Sequence, residues 1–386
     1  MKDRIVFTEE RAASWIENRK NLALGLSDSD ETTGLPPASL EELEGMISFL
    51  TGSSREASAE TMRLLSDAAL TVRRKTYGDR VFFRGLIEFT NYCKNGCYYC
   101  GIGRDQRDVH RYRLSDEEIL SCCRLGEKLG YRSYVLQGGE DPYYTDDRMC
   151  ALIGLIRKKF PGAAITLSLG EKEHESYVKY FEAGANRYLL RHETADPAHY
   201  GKLHPAEMSL SHRMNCLYDL KSIGYQVGAG FMAGSPYQTP ATLAEDFVFL
   251  QELKPEMVGI GPFIPSAGTR FESAPAGTLE LTLMMLAITR LLLPKVLLPS
   301  TTALGTIDPT GREKGFAYGA NVVMPNLSPV RVRADYKLYD NKICTGDDAE
   351  DCFVCLNNRI RKSGNEPDYS RGDHADFRCP DTKENI

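Results

Sequence analysis

The stretch from Arg84 to Gly103 reads RGLIEFTNYCKNGCYYCGIG: an apolar run suited to a buried strand passes directly into a polar loop that holds Cys93, Cys97 and Cys100. Seven more runs of this kind follow: RSYVLQ from Arg132, AITLSL from Ala164, RYLLR from Arg187, YQVGAGF from Tyr225, EMVGIG from Glu256, KVLLPSTTA from Lys295 and ANVVMP from Ala320. Short runs of this composition, bounded by turn residues, read as strands. The segments between them carry helix start signals, including Ser115 with Glu118 as a capping box and Thr239 ahead of Pro240. Strand and helix alternating eight times predict an α/β fold, a (β/α)8 TIM-type barrel over residues 81–335, although an open doubly wound sheet permits the same alternation. Residues 1–80 read as an N-terminal helical extension. In it, Ser39 with Glu42 caps LEGMISFL, a second helix covers roughly 57–77, and SDSDETTGLPP ahead of Ser39 is an exposed connection. Residues 336–386 form a C-terminal cysteine-containing segment, polar and expected to be loose from about Ser363.

At 386 residues the chain can bury one large core or two ordinary domains. Its 42% apolar and 26% charged residues are those of a globular protein, and a net charge of -6 gives no electrostatic reason to expect nucleic acid. The opening MKDRIVFTEERAASW lacks an apolar signal-like run, and the apolar stretch from Leu281 to Pro299 is broken by Arg290, Pro294 and Lys295. No membrane segment and a cytoplasmic location are therefore expected. Eleven cysteines in a reducing compartment suit metal binding better than disulfides where they cluster. Cys122, Cys123, Cys150 and Cys216 lie in apolar patterns and read as core.

In a parallel barrel, chemistry gathers at the carboxyl ends of the strands. That rule brings the three-cysteine loop together with Gln137, Gly138, Gly139, Glu140 and Asp141 after the second strand, and with Ser168 after the third. The fourth strand contributes Arg191, His192, Glu193 and Thr194, the fifth Met232, the seventh Thr301 and Thr302, and the eighth Met324 and Asn326. Three thiolates on a four-iron cluster leave one iron open to a substrate or cofactor. Zinc with a remote fourth ligand such as His110, or a thioredoxin-like role for CYYC, also fits the cysteines taken alone.

The spacing C-x3-C-x2-C, followed by Gly138-Gly139-Glu140, resembles the radical S-adenosylmethionine (SAM) superfamily. In more detail, CYYCGIGRDQRDVHRYR, VLQGGED, ITLSLGE, RYLLRHETA, MVGIGPFIP, STTALGT and GANVVMPN resemble, in order, segments of the HydE family, the radical SAM maturases of FeFe hydrogenases. Gly138 stands where that family usually has serine. The resemblance implies a 4Fe-4S cluster on Cys93, Cys97 and Cys100 and SAM held by Tyr99, Gln137, Gly138, Gly139, Glu140, Ser168, Glu193, Arg213 and Met232. It implies a substrate cavity of Arg187, Arg191, His192, Thr301, Thr302, Met324 and Tyr336. Without that context the arginines read as partners of nearby carboxylates, the threonines as strand residues and Met232 as core.

A second set, Cys344, Cys352 and Cys355, has the C-x7-C-x2-C spacing of an accessory iron-sulfur cluster (2Fe-2S or 4Fe-4S) in some family members, with zinc or empty thiols also open and Cys379 as a further thiol in the tail. The implied activity is cleavage of SAM to a 5'-deoxyadenosyl radical in assembly of the hydrogenase two-iron subcluster, acting on an iron carbonyl-cyanide-cysteine complex. The implied partners are the maturases HydG and HydF and an electron donor such as ferredoxin or flavodoxin. The alternatives are a biotin-synthase-like or methylornithine-synthase-like enzyme on an organic substrate, and a non-catalytic iron-sulfur carrier.

Overall fold

The computed structural model describes residues 6–26, 35–346 and 348–377, so most of the connection expected before Ser39, and Cys379, lie outside the described residues. Three helices open the chain, Glu9–Leu24, Leu40–Gly52 and Arg55–Tyr77. The Ser39 and Glu42 capping box forms as expected, and Gly78, at φ +61°, ends the third helix in a conformation that favours glycine. The first helix packs on the third, the second on the helix Pro240–Leu253 and the third on the helix Leu279–Leu292, so these helices lie outside the barrel.

The strands are β1 (Arg80–Phe83), β2 (Gly85–Thr90), β3 (Ser133–Gly138), β4 (Ala164–Ser168), β5 (Arg187–Leu189), β6 (Gln226–Ala229), β7 (Met232–Ala233), β8 (Met257–Val258), β9 (Gly261–Pro262), β10 (Val322–Val323) and β11 (Glu366–Asp368). Six of them form one parallel sheet in the order β2-β3-β4-β5-β6-β8. Parallel bridges then close the ring, from Met257 to Leu297, from Pro299 to Val322 and from Asn326 to Leu86. The eight expected runs thus form the staves of a cylinder, and the open sheet is set aside because both edges of the six-stranded sheet are taken up. The seventh run joins only through single bridges, since Pro299 has no N–H to donate to a ladder. Alternation along the first stave turns Leu86 and Glu88 into the lumen, while Ile87 and Phe89 are buried outside it.

The expectation of a loose tail is corrected over residues 363–377, and residues 378–386 lie outside the described residues. β11 pairs in parallel with β1, whose other neighbour is β10. Beyond it, the Asp373 carboxylate accepts from Arg187 at 2.6 Å, Gln226 at 2.7 Å and Arg371 at 2.8 Å. The polar composition that suggested disorder supplies the counter-charge for an arginine with no solvent exposure. Among the described residues, no helix is long and apolar enough to cross a membrane.

Candidate active site

The cysteine loop leaves β2 and is held from several sides. Lys94 N–H donates to Glu140 O at 2.9 Å, Tyr98 N–H to Leu203 O at 3.0 Å and Gly101 N–H to Leu338 O at 3.0 Å. The Arg111 guanidinium donates to the carbonyls of Asn91, Ile102, Gly103 and Gln106, gathering the loop around one side chain. At Gly101 an added Cβ would stand 2.1 Å from Lys337 O, so only glycine fits beneath that neighbour. Backbone N–H groups of Asn95 and Glu140 point at the Cys93 sulfur, and that of Ile102 at the Cys100 sulfur.

Burial raises the pKa of all three thiols, to about 12 for Cys100, and neighbouring thiols push Cys97 and Cys100 further up. Three buried thiolates therefore need a cationic group between them to exist at neutral pH. Among the described residues, no three His, Cys, Asp or Glu side chains converge to grip a single metal ion. A zinc ion needs sulfurs at about 2.3 Å, and the proposed remote ligand His110 is 78% exposed and paired with Asp335 at 2.9 Å. Thiols on one cavity wall with N–H donors aimed at their sulfurs fit a multi-iron cluster better. None of the described cysteines forms a disulfide.

The segment after β3 packs against this loop. At Gly139 a Cβ would lie 2.3 Å from Tyr92 O and 2.6 Å from Cys93 Cβ, which makes glycine the condition for that approach. A Cβ at Gly138 would stand 2.7 Å from Thr90 Cγ2, so the glycine in place of the family's serine suits its neighbour. Glu140, 6% exposed, accepts from Glu171 N–H at 2.9 Å and faces Lys94 at 3.4 Å. Asp141 is a clamp, taking two bonds from Arg113 at 2.7 and 2.8 Å and one from Thr90 Oγ1 at 2.7 Å.

Ser168, Arg191, Glu193, Arg213 and Met232 line the same cavity. Glu193 holds a left-handed backbone at φ +67° and pairs with Arg191 at 2.8 Å. Arg213 donates from Nη1 to Arg191 O at 3.0 Å and from Nε to Glu171. Tyr99 Oη meets His204 Nε2 at 3.1 Å, and burial lowers His204 to about 3, so that ring is neutral.

The cavity, about 610 Å³, is lined as well by Thr301, Thr302, Met324 and Tyr336 and by Cys344, Cys352 and Cys355. The expectations at these positions are thus brought together in space. Asn326, expected at the end of the eighth strand, lines it too, whereas sequence reasoning missed Glu88, Arg312, Tyr339 and Lys342. Glu88, its side chain 1% exposed, accepts from Lys342 Nζ at 2.5 Å and Asn326 Nδ2 at 2.7 Å. The strand alternation that turns Leu86 inward could have flagged Glu88, whereas nothing local marks Lys342. Arg312 Nη2 lies 3.4 Å from Cys344 Sγ.

Two expected cavity residues are elsewhere. Arg187 begins β5 at the opposite end of the barrel, bonded to Ser133 Oγ at 3.0 Å and to Asp373, because the carboxyl-end rule does not reach the first residue of a strand. His192 has no solvent exposure and faces away from the lumen, with Nε2 3.2 Å from Asp246 Oδ1 and its ring edge-on to Phe249. The alternation that turns Arg191 and Glu193 inward turns His192 outward.

A model of the Radical SAM superfamily matches residues 87–250. The chain is 48% identical over 296 residues to the FeFe hydrogenase maturase subunit HydE of Thermotoga maritima, covering 77% of this chain and 84% of that protein. It is 32% identical over 284 residues to 3-methylornithine synthase of Methanosarcina acetivorans, covering 72% of this chain and 79% of that one. The crystal structure of methylornithine synthase superposes with a TM-score of 0.75 at 26% identity, covering 91% of this chain and 97% of that one.

Proposed function

Because this chain belongs to the HydE family of radical SAM enzymes, we propose that it matures FeFe hydrogenase by acting on an iron carbonyl-cyanide-cysteine complex on the way to the two-iron subcluster. One observation carries the reading: the three thiols, the Gly138-Gly139-Glu140 wall and the charged side chains Glu88, Arg191, Arg312 and Lys342 all line a single cavity. Cys93, Cys97 and Cys100 would hold the 4Fe-4S cluster, which with SAM bound supplies reductive cleavage to a 5'-deoxyadenosyl radical. The carboxylate of Glu140 and the backbone of Gln137, Gly138 and Gly139 would seat the ammonium of SAM. Ser168, Glu193, Arg213 and Met232 would orient the rest of the molecule, and Tyr99 would lie along its adenine.

Deeper in, Thr301, Thr302, Met324 and Tyr336 would contact the substrate, and Arg191, Arg312 and Lys342 would supply positive charge toward an anionic complex in a low-dielectric space. Cys344, Cys352 and Cys355 would carry an accessory iron-sulfur cluster. HydG as supplier of the complex, HydF as acceptor of the product, a ferredoxin or flavodoxin donor and a cytoplasmic setting complete the proposal.

The 32% identity to 3-methylornithine synthase favours one competing reading, an organic amino-acid substrate. Anaerobically reconstituted protein should form 5'-deoxyadenosine faster with the iron complex than with lysine or dethiobiotin, and the opposite order would overturn the choice of substrate. Failure of SAM to change the electron paramagnetic resonance (EPR) spectrum of the reduced cluster would leave only a carrier.

A further inference from the structure

We infer that Asp246, through Ala195 N–H, and His192, through Gly230 N–H, are positioning residues that hold Glu193 in the conformation needed to meet SAM. Glu193 is a non-glycine residue at φ +67°, a backbone state that carries strain and persists only where its neighbours enforce it. Two contacts to Gly230 do so. Glu193 N–H donates to Gly230 O at 3.0 Å, and Gly230 N–H donates to His192 Nδ1 at 3.3 Å. Adjacent residues of one turn thus hold both polar groups of one peptide residue on the neighbouring stave. The close approach requires glycine at 230, since a Cβ there would lie 2.0 Å from Gly259 O.

The histidine is fixed in its turn. Accepting at Nδ1 leaves the proton on Nε2, which lies 3.2 Å from Asp246 Oδ1 without a hydrogen bond to it. Burial lowers His192 to about 3, so the ring stays neutral and able to accept from Gly230. Asp246 Oδ1 accepts from Ala195 N–H at 2.6 Å, which ties the far side of the turn to the helix that carries Asp246. Neither residue has any solvent exposure, and the ring packs edge-on to Phe249 with a centroid separation of 4.9 Å. The helix Pro240–Leu253, outside the barrel, thereby holds through Asp246 the turn whose Glu193 lines the cavity.

The inference rests on the reading of Glu193 as a SAM contact. It is tested on full-length, anaerobically reconstituted and reduced protein by titrating SAM and following the EPR change of the cluster, with iron and sulfide counted on the same samples. Asp246→Ala leaves the Ala195 N–H without an acceptor, whereas Asp246→Asn keeps a carbonyl oxygen for it. Asp246→Ala should raise the half-saturating SAM concentration tenfold or more at unchanged iron content, and Asp246→Asn should stay within threefold of wild type. If Asp246→Ala does not fold, His192→Phe, which keeps the ring packing and removes the acceptor for Gly230, must give the same tenfold loss. A wild-type titration curve in Asp246→Ala or His192→Phe, or an equal loss in Asp246→Asn, overturns the inference. A wild-type protein with no SAM response overturns the functional reading itself, and the positioning role with it.

Discussion

Replacing Asp373 by alanine should destabilise the protein more than any substitution on its surface. The carboxylate takes hydrogen bonds from Arg187, Arg371 and Gln226, and Arg187 has no solvent exposure at all. Removing one partner of a buried ion pair leaves an uncompensated charge, at a cost of about 3–5 kcal/mol. For a 386-residue chain unfolding with typical entropy per residue, that cost corresponds to a fall in melting temperature of about 4–6 °C. Differential scanning calorimetry of the apo protein under anaerobic conditions would measure it. The double variant Arg187→Met with Asp373→Leu should recover most of the loss, because neither charge is then stranded. A loss below about 1 kcal/mol, or a double variant no better than the sum of its parts, would refute the buried pair as the reason the tail is ordered.

The same pair gives a pH dependence. Burial alone would raise the Asp373 pKa, but Arg187 and the hydrogen bonds from Arg371 and Gln226 outweigh it and hold the group below its ordinary value. A depressed carboxylate pKa stabilises the fold above the unfolded value of about 3.9, and that contribution is lost as pH falls below it. Wild type should therefore lose its advantage over Asp373→Asn progressively below about pH 4.

Other outcomes follow from the same geometry. Gly139→Ala forces a methyl group to 2.3 Å from Tyr92 O and should lower the iron and sulfide bound at the first cluster while leaving the circular dichroism of the barrel unchanged. Arg111→Met removes the shared donor of four loop carbonyls and should make the first cluster more labile to a chelator, read as faster bleaching of its visible absorbance. Lys342→Met strands the buried Glu88 carboxylate, and it should abolish stimulation of 5'-deoxyadenosine formation by the iron complex while leaving the SAM-induced EPR change intact. Counting iron in Cys352→Ala should show loss from the accessory site alone, whereas Cys93→Ala should lose the first cluster.

The eight staves were legible because each is a short, mainly apolar run between turn residues, and burial of a parallel strand on both faces favours such a run. The carboxyl-end rule then brought the cysteine loop, the paired glycines, Ser168 and Glu193 to one mouth, where they line one cavity. The rule failed for His192 and the family resemblance for Arg187, residues whose place depends on direction more than on position along the chain. Arg187 opens its strand and faces the base, and His192 lies one residue out of phase with its lumen-facing neighbours. The tail was misread because polar composition signals disorder only when its charges have no buried partner, and Asp373 has one.

Local pattern by itself determined the strand and helix alternation, the caps and the thiol spacing, since each depends on residues a few positions apart. Long-range contact decided the rest. Lys342 reaches Glu88 across 254 positions and Asp373 reaches Arg187 across 186, pairings that no short window contains because they exist only once the cylinder has closed.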